Sequence, residues 1–438
     1  MKRLLICLVA LIAVFALVMP ASAAEMKVNG IWNAKAYARD NYDGDDDTDD
    51  STQYVTQRFR SYWNWIASEN LKLVYKNEID IEWGDTGPQT GRNDGGGLGG
   101  DSVNLETKNI YLEFMVPDTP VKATMGLQGI TLHKGWFISD DAGGARFDMN
   151  FDPVSITAYW IGVDGLEGGD SVSSNDNWQV AVSGAYKAEN LDARLSLAYQ
   201  RNPNDLTSAD VPESDDLYLL MGEFGMSFDM VSFDVVLATN FGEVDSDGAG
   251  DRDYEGYMFA GNVDFALDMA TISISGAYVS GDKEGDLDED FQGLAGQTFS
   301  WAEIISDGYT YDRNASLAQI GAANKPSNMY YIGVGADLKP TDTTTMMLDV
   351  YYIGMVEDRT IAGDKEDEIG IEIDARLVQK IYDNLSLTVI GAYLLAEDGY
   401  GVYDSADPNA ADNSGDDAFQ VGVGLSLIHI LTLPTTSP

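Results

Sequence analysis

The stretch that decides the fold is Leu105-Glu106-Thr107-Lys108-Asn109-Ile110-Tyr111-Leu112-Glu113-Phe114-Met115, turned by Pro117-Asp118-Thr119-Pro120 and returned by Val121-Lys122-Ala123-Thr124-Met125-Gly126-Leu127-Gln128. Apolar and polar residues alternate with period two on both sides of the turn. A strand places successive side chains on opposite faces, so the pattern predicts a β-hairpin. Beyond it, Thr131–Gly144 holds His133, Lys134, Trp136, Phe137, Asp140 and Asp141 between glycines, and predicts a third long connection.

The same alternation recurs along the chain. Lys27–Arg39, Gln53–Ser68 and Leu71–Trp83 precede the hairpin. Val154–Trp160, Leu191–Leu197, Val231–Leu237, Ile369–Leu377, Leu385–Val389 and Phe419–Leu425 follow it. Short turns such as Glu69-Asn70, Asp152-Pro153 and Asp383-Asn384 alternate with long, acidic, Gly-rich loops such as Asp40–Thr52, Gly84–Ser102 and Glu397–Asp416. The pattern is an up-and-down meander of about nine hairpins, hence about 18 antiparallel strands, with 16 as the alternative. Strands of about ten residues or more exceed the five or six of a soluble sandwich. Trp63, Trp65, Trp83, Trp160, Trp178 and Phe241 collect near strand ends, where a membrane barrel places its interfacial girdles. The fold class expected is therefore all-β: a transmembrane antiparallel β-barrel with short periplasmic turns and long acidic extracellular loops.

Charge supports this reading. The 438 residues carry 72 acidic and 26 basic side chains, a formal net charge of −46, yet 44% are hydrophobic. So acidic a chain lacks the basic footprint that nucleic acid requires. An alternating barrel resolves the conflict by giving the apolar half of each strand to lipid. The polar half then lines an aqueous interior, which a barrel of this size encloses.

The N-terminus has Lys2-Arg3, an apolar run to Met19 and small residues at Ala21–Ala24. Residues 1–24 are expected to be a secretory signal, 25–427 the barrel and 428–438 an anomalous tail. The lone Cys7 falls in the signal, so no disulfide or thiolate metal site is expected in the processed chain. Leu425–Thr436 reads as translated adapter sequence on a truncated gene, with a short periplasmic extension as the alternative.

The run Gly99–Leu112, with Val116-Pro117-Asp118-Thr119, Met125-Gly126-Leu127-Gln128, Asp140-Asp141-Ala142-Gly143, Met26-Lys27-Val28-Asn29-Gly30 and Arg58-Phe59-Arg60, resembles the homotrimeric outer-membrane porins of sulfate-reducing (delta-proteobacterial) bacteria. The resemblance covers about residues 1–150 and is architectural afterwards. It implies a homotrimer, contact with outer-membrane lipid and lipopolysaccharide, and passive diffusion of small hydrophilic solutes and ions.

Lys35, Arg39, Arg58, Arg60, Lys72 and Lys76 fall on the polar faces of the first three strands and are expected to form a basic ladder. Asp140 and Asp141, on an inward third loop, are expected to oppose the arginines across the constriction. Such rings of charge set ion selectivity; mild cation preference is expected. Asp43, Asp45, Asp47 and Asp49 could hold Ca²⁺ weakly, although a solvated acidic loop is the simpler reading. Asp282–Asp290 poses the same choice. Gly281–Ser327 contains Phe291, Phe299, Trp301, Ile304 and Ile305, too apolar for a solvated loop. It is expected to cover the mouth, enter the lumen, latch onto a neighbour or pack locally as a surface flap. His133 and His429 are the only histidines, and neither accompanies a nucleophile motif, so an enzyme is not expected. A sugar- or organic-acid-specific channel, and a plugged structural or adhesive barrel, are the competing functions.

Overall fold

The computed structural model describes residues 25–432 apart from 43, 45–48, 86–94, 101–102, 165–176, 202–211, 247–251, 283–288, 307–320, 323–324, 362–363 and 401–414. Eighteen long strands follow one another. They are β1 (Glu25–Asp40), β2 (Thr52–Ser68), β3 (Leu71–Glu82), β4 (Glu106–Met115), β5 (Val121–Leu132) and β6 (Ile138–Phe151). Next come β7 (Val154–Asp164), β8 (Asn177–Lys187), β9 (Leu191–Arg201), β10 (Pro212–Phe228), β11 (Val231–Ser246) and β12 (Tyr257–Ala266). The last are β13 (Ala270–Val279), β14 (Met329–Thr341), β15 (Thr344–Ile361), β16 (Asp364–Tyr382), β17 (Leu385–Ala396) and β18 (Ala418–Thr432). Each pairs antiparallel with its neighbour in sequence, and β1 pairs with β18 from Lys27↔Thr432 to Asp40↔Phe419, which closes the barrel.

The count of 18 agrees with the sequence reading, and 16 does not. Two boundaries move. β18 continues to Thr432, past the expected end at Leu427, because residues 428–432 find register partners on β1. Thr131–Gly144 is mostly strand rather than loop: β5 runs to Leu132 and β6 starts at Ile138, leaving a turn at His133–Phe137. Gly143 and Gly144, which close the expected loop, sit inside β6.

Alternation sets the two faces. On β9 and β10, Leu195, Leu197, Tyr218, Leu220 and Phe224 are exposed on the outer wall. Their sequence neighbours Ser196, Ala198, Leu217, Leu219 and Met221 face inward and are buried. Apolar inward residues on β10–β15 mark a departure from an open water-filled interior. Leu217, Leu219, Met221, Val236, Met258, Val279, Met329 and Ile353 join one buried cluster with Ile130, Phe137 and Ile138 of the β5–β6 hairpin and with Phe291, Leu294, Ile304 and Ile305. One side of the lumen is thus filled by protein, and each large side chain buried there stabilises the packing by about 1.5–3 kcal/mol.

Candidate functional site

The constriction begins where the β5–β6 hairpin leaves the wall. β4 pairs with β5 only as far as Ile110↔Leu127, and β6 pairs with β7 only from Gly144↔Ile161 downward. Above that level Gln128–Leu132 and Ile138–Ala142 pair only with each other. Gly126 and Gly144 are register partners at the bend. Gly126 has φ +127°, and a Cβ there would meet Ile110 O at 2.4 Å; at Gly144 it would meet Trp160 O at 2.1 Å. The Gln128 amide donates to Thr124 O (3.1 Å) and Gly144 O (3.2 Å), so both edges of the bend are tied.

The hairpin tip crosses to the opposite wall. His133 and Lys134 take left-handed φ values of 50° and 55°. His133 Nε2 lies 2.7 Å from Ser196 Oγ on β9, and its Nδ1 lies 3.2 Å from Glu223 on β10. Burial pushes the His133 imidazole below the ordinary histidine range, and Glu223 opposes that shift. Lys134 Nζ reaches Asp234 on β11 at 2.8 Å. The serine–histidine–glutamate line resembles a hydrolytic triad, but His133 and Ser196 are each 1% exposed, which leaves no room for a substrate carbonyl. The line serves as an anchor.

Residues 289–306 form the second half of the constriction. Trp136 stacks on Phe299 at 3.6 Å, Ser139 N donates to Gly296 O (2.8 Å), and Gln297 Nε2 donates to Trp136 O (2.9 Å). Two wall carboxylates then grip consecutive backbone amides. Glu372 on β16 accepts from Ile304 N (2.5 Å) and Ile305 N (3.1 Å), and Asp374 accepts from Glu303 N (3.1 Å). Ala295 N donates to Gln200 Oε1 on β9 at 2.8 Å. Of the expected placements of this connection, entry into the lumen is the one that Phe291–Ser306 adopts; 307–320 lies outside the described residues.

The basic wall differs in detail from the sequence expectation. Lys35, Arg39, Arg58, Arg60, Lys72 and Lys76 do share the inward face of β1–β3, by register. The opposing aspartates are not bonded to the arginines. Asp80 on β3 holds Arg58 through two bonds (2.8 and 2.9 Å), and Glu78 bonds Arg60. Cross-strand neighbours, always in reach, occupied the guanidinium forks first. Lys72 pairs with Glu113 (3.0 Å), Lys76 lies over the Tyr62 ring (5.4 Å), and Arg39 lies over Tyr42 (4.7 Å). Asp141 meets Lys108 Nζ (2.6 Å) and Asn109 Nδ2 (2.7 Å) on β4 instead. Asp140 accepts from Asp141 N (2.7 Å). The residues missed from sequence are Lys108, Glu223, Glu372 and Asp374. All stand on strands as ordinary polar-face residues, and only the path of the inward segments singles them out.

Below the inward segments a cavity of about 340 Å³ opens against β11–β16. It presents Asp234, Glu303, Asp337, Asp349 and Asp374 against Lys134 and Arg376, with Trp136, Trp301, Tyr331 and Tyr351 as ring surfaces. The lumen therefore has an acidic, aromatic side and a side where basic groups sit among carboxylates and rings.

Asp43, Asp45 and Asp47 lie outside the described residues. Asp49 accepts from Ser51 Oγ (2.7 Å), while Asp50 caps Asn41 N and Tyr42 N (2.6 and 2.7 Å). Asp290 accepts from Asp282 N (3.0 Å) and lies 3.6 Å from Arg359. Among the described residues no group of three or more histidine, cysteine, aspartate or glutamate side chains is placed to hold a metal ion.

No protein-family model matches the chain, and no curated protein is similar to it in sequence. Solved structures are similar in fold. Pseudomonas aeruginosa OpdO has a TM-score of 0.60 at 11% identity, over 93% of this chain and 98% of that one. Pseudomonas aeruginosa OpdK with vanillate has 0.57 at 10%, over 93% and 99%. A doubly substituted OccD1 (OprD) has 0.57 at 14%, over 93% and 96%. At such identity the likeness is one of architecture: this chain folds as the closed 18-stranded barrel of those proteins.

Proposed function

We propose that the chain is an outer-membrane porin: a water-filled channel for passive diffusion of small hydrophilic solutes and ions, assembled as a homotrimer in lipid and lipopolysaccharide. The observation that carries this is the inward β5–β6 hairpin, which narrows a closed barrel whose outer wall is apolar. Such a wall suits lipid because every ladder hydrogen bond is satisfied internally. The channel has no catalytic role in this reading.

Mild cation preference follows from the charge balance. Arg58, Arg60, Lys72, Lys108, Lys122 and Arg146 each have a carboxylate within 4 Å. The cavity lining adds Asp234, Asp337 and Asp349 to the two basic groups Lys134 and Arg376, while Glu303 and Asp374 are buried. A net acidic lumen lowers the energy of a passing cation relative to an anion. Planar-bilayer recording tests both points. Stepwise conductance with a reversal potential on the cation side of zero in a salt gradient supports the reading; absence of conductance refutes it.

A second reading, a channel selective for small organic acids, draws on the guanidinium and ammonium groups of β2–β4 and on the vanillate held by OpdK. Conductance block that saturates with one carboxylate solute and not with neutral sugars of equal size would favour it.

A further inference from the structure

Below the inward segment, the wall carries charges that its own strands leave unmatched. Ser273, Gly335, Asp349 and Asp374 form one inward row across β13–β16. Asp337, Met347 and Arg376 form the row beneath it on β14–β16. Asp349 and Asp374 are therefore register partners, and like charges directly opposite each other destabilise a sheet. Arg376 stands next to them, yet it donates from Nε and Nη2 to Met347 Sδ (3.0 and 2.6 Å). Among the described residues neither Asp337 nor Asp349 takes a hydrogen bond or a direct ion pair. Asp374 is 7% exposed and lines the cavity, and its Oδ1 accepts no hydrogen bond. Asp234 differs, because Lys134 Nζ already matches it.

The hollow in front of these carboxylates is built into the strands. A Cβ at Gly335 would collide with Asp349 Oδ1, and one at Gly333 would meet the Tyr351 ring at 2.6 Å. Glycine at both positions lets the β15 side chains lie flat over β14. That leaves the cavity of about 340 Å³ open, within the roughly 300–1,000 Å³ of small-molecule sites. Three rings line its upper part. Trp301 of the inward segment lies flat on Tyr331 (4.1 Å), and Tyr351 stands edge-on to both (5.2 and 5.9 Å).

We propose that this cavity is a binding site for an organic cation: an ammonium group on a slender apolar body. The proposal rests on the channel reading above, and adds to it a site that one solute class enters and saturates. Charge and rings together select the class. A sugar would hydrogen-bond the aspartates yet leave their charges facing each other. A bare metal ion would answer the charge, but no acidic group among the described residues is placed to hold one, and the rings would stay unused. An organic ammonium answers both, since its charge sits between carboxylates and its methylenes or methyls are attracted to ring faces.

The test records the full chain in planar bilayers with n-butylammonium, against 1-butanol and butanoate of the same length. Butylammonium should reduce the current with a saturating dose dependence, and the other two should not. Asp337→Asn with Asp349→Asn removes the two unmatched carboxylates and relieves their repulsion, so the barrel should fold. It should raise the half-blocking concentration by about tenfold or more. Gly335→Ala keeps every charge but displaces the Asp349 carboxylate, and should weaken the block as well. Equal block by butanol, stronger block by butanoate, block that never saturates, or block indifferent to both variants would overturn the assignment. A wild type without conductance refutes the channel reading instead. Calorimetric titration of the detergent-solubilised barrel with butylammonium then reads the cavity alone: heat that disappears in the double variant supports the site, and no heat in wild type overturns it.

Discussion

Glu372→Ala removes the carboxylate that holds the inward segment by its backbone. Glu372 is 0% exposed and accepts the amides of Ile304 and Ile305, themselves 0% and 2% exposed. A hydrogen bond contributes about 0.5–1.5 kcal/mol net, and a buried donor left bare costs about 1–3 kcal/mol. Two such donors share one acceptor and one loop, so their losses overlap. Allowing for that, docking of Phe291–Ser306 on the wall should weaken by about 2–4 kcal/mol, a shift of roughly 30- to 700-fold in the docked-to-undocked ratio at 1.4 kcal/mol per decade. Burial of Ile304 and Ile305 side chains still favours docking, so the barrel itself should fold. Glu372→Gln keeps one acceptor oxygen and should fall between alanine and wild type. Single-channel recording should show larger or noisier conductance in the order wild type, glutamine, alanine, and limited proteolysis should cut 291–306 faster in the same order. An alanine variant with wild-type conductance and wild-type protease resistance would refute the idea that this carboxylate latches the constriction.

Arg58→Met leaves Asp80 facing the lumen without its fork of two bonds, and should move the reversal potential further toward cations; movement toward anions would contradict the charge balance drawn here. The His133 imidazole is held below its ordinary range by burial, so the undocked tip takes up a proton at higher pH than the docked tip does. Docking is therefore complete above the ordinary histidine range and is lost as pH falls through the lowered one. Current noise that rises on acidification in wild type but stays flat in His133→Phe is the expected record. Gly126→Val puts a Cβ within 2.4 Å of Ile110 O at a left-handed φ, and should block the inward bend. The heat-resistant folded band on gels should diminish, and any folded fraction should conduct more than wild type.

The barrel was legible because a membrane wall is written twice, once in each face of every strand. Leu195 and Leu197 alternate with Arg194 and Ser196, and that alone fixes an outer and an inner side. The turns were legible for the same reason, since Glu69-Asn70 and Asp383-Asn384 interrupt the pattern at the expected spacing. The constriction was only half legible. Gly143 and Gly144 close the stretch Thr131–Gly144, which does enter the lumen, yet as a strand pair rather than a loop. Its polar partners did not stand out, because Lys108, Glu223 and Glu372 look like any inward residue until a segment from elsewhere in the chain lies on them. One clue was present. Leu217-Tyr218-Leu219-Leu220-Met221 on β10 is apolar on both faces, and an inward apolar face in a channel requires a cover.

That cover explains why the charged side of the pore is where it is. Phe291, Leu294, Ile304 and Ile305, with Ile130, Phe137 and Ile138, fill the lumen against β10–β15, where the inner wall is apolar. Water is displaced toward β1–β4, where the wall is Arg58–Asp80, Arg60–Glu78 and Lys108–Asp141. An apolar core on one side thus presses the aqueous path against paired charges on the other. The pairs fix side chains that would otherwise wander, and the remaining carboxylates near Trp301 and Tyr331 set the sign of the field. On the proposed channel reading, selectivity is a consequence of packing: displace the inward segment from the β10–β15 wall and the path widens over an apolar surface, where neither anion nor cation is held. On that reasoning Glu372→Ala should lose ion preference together with its constriction, while Arg58→Met should change the preference and keep the constriction.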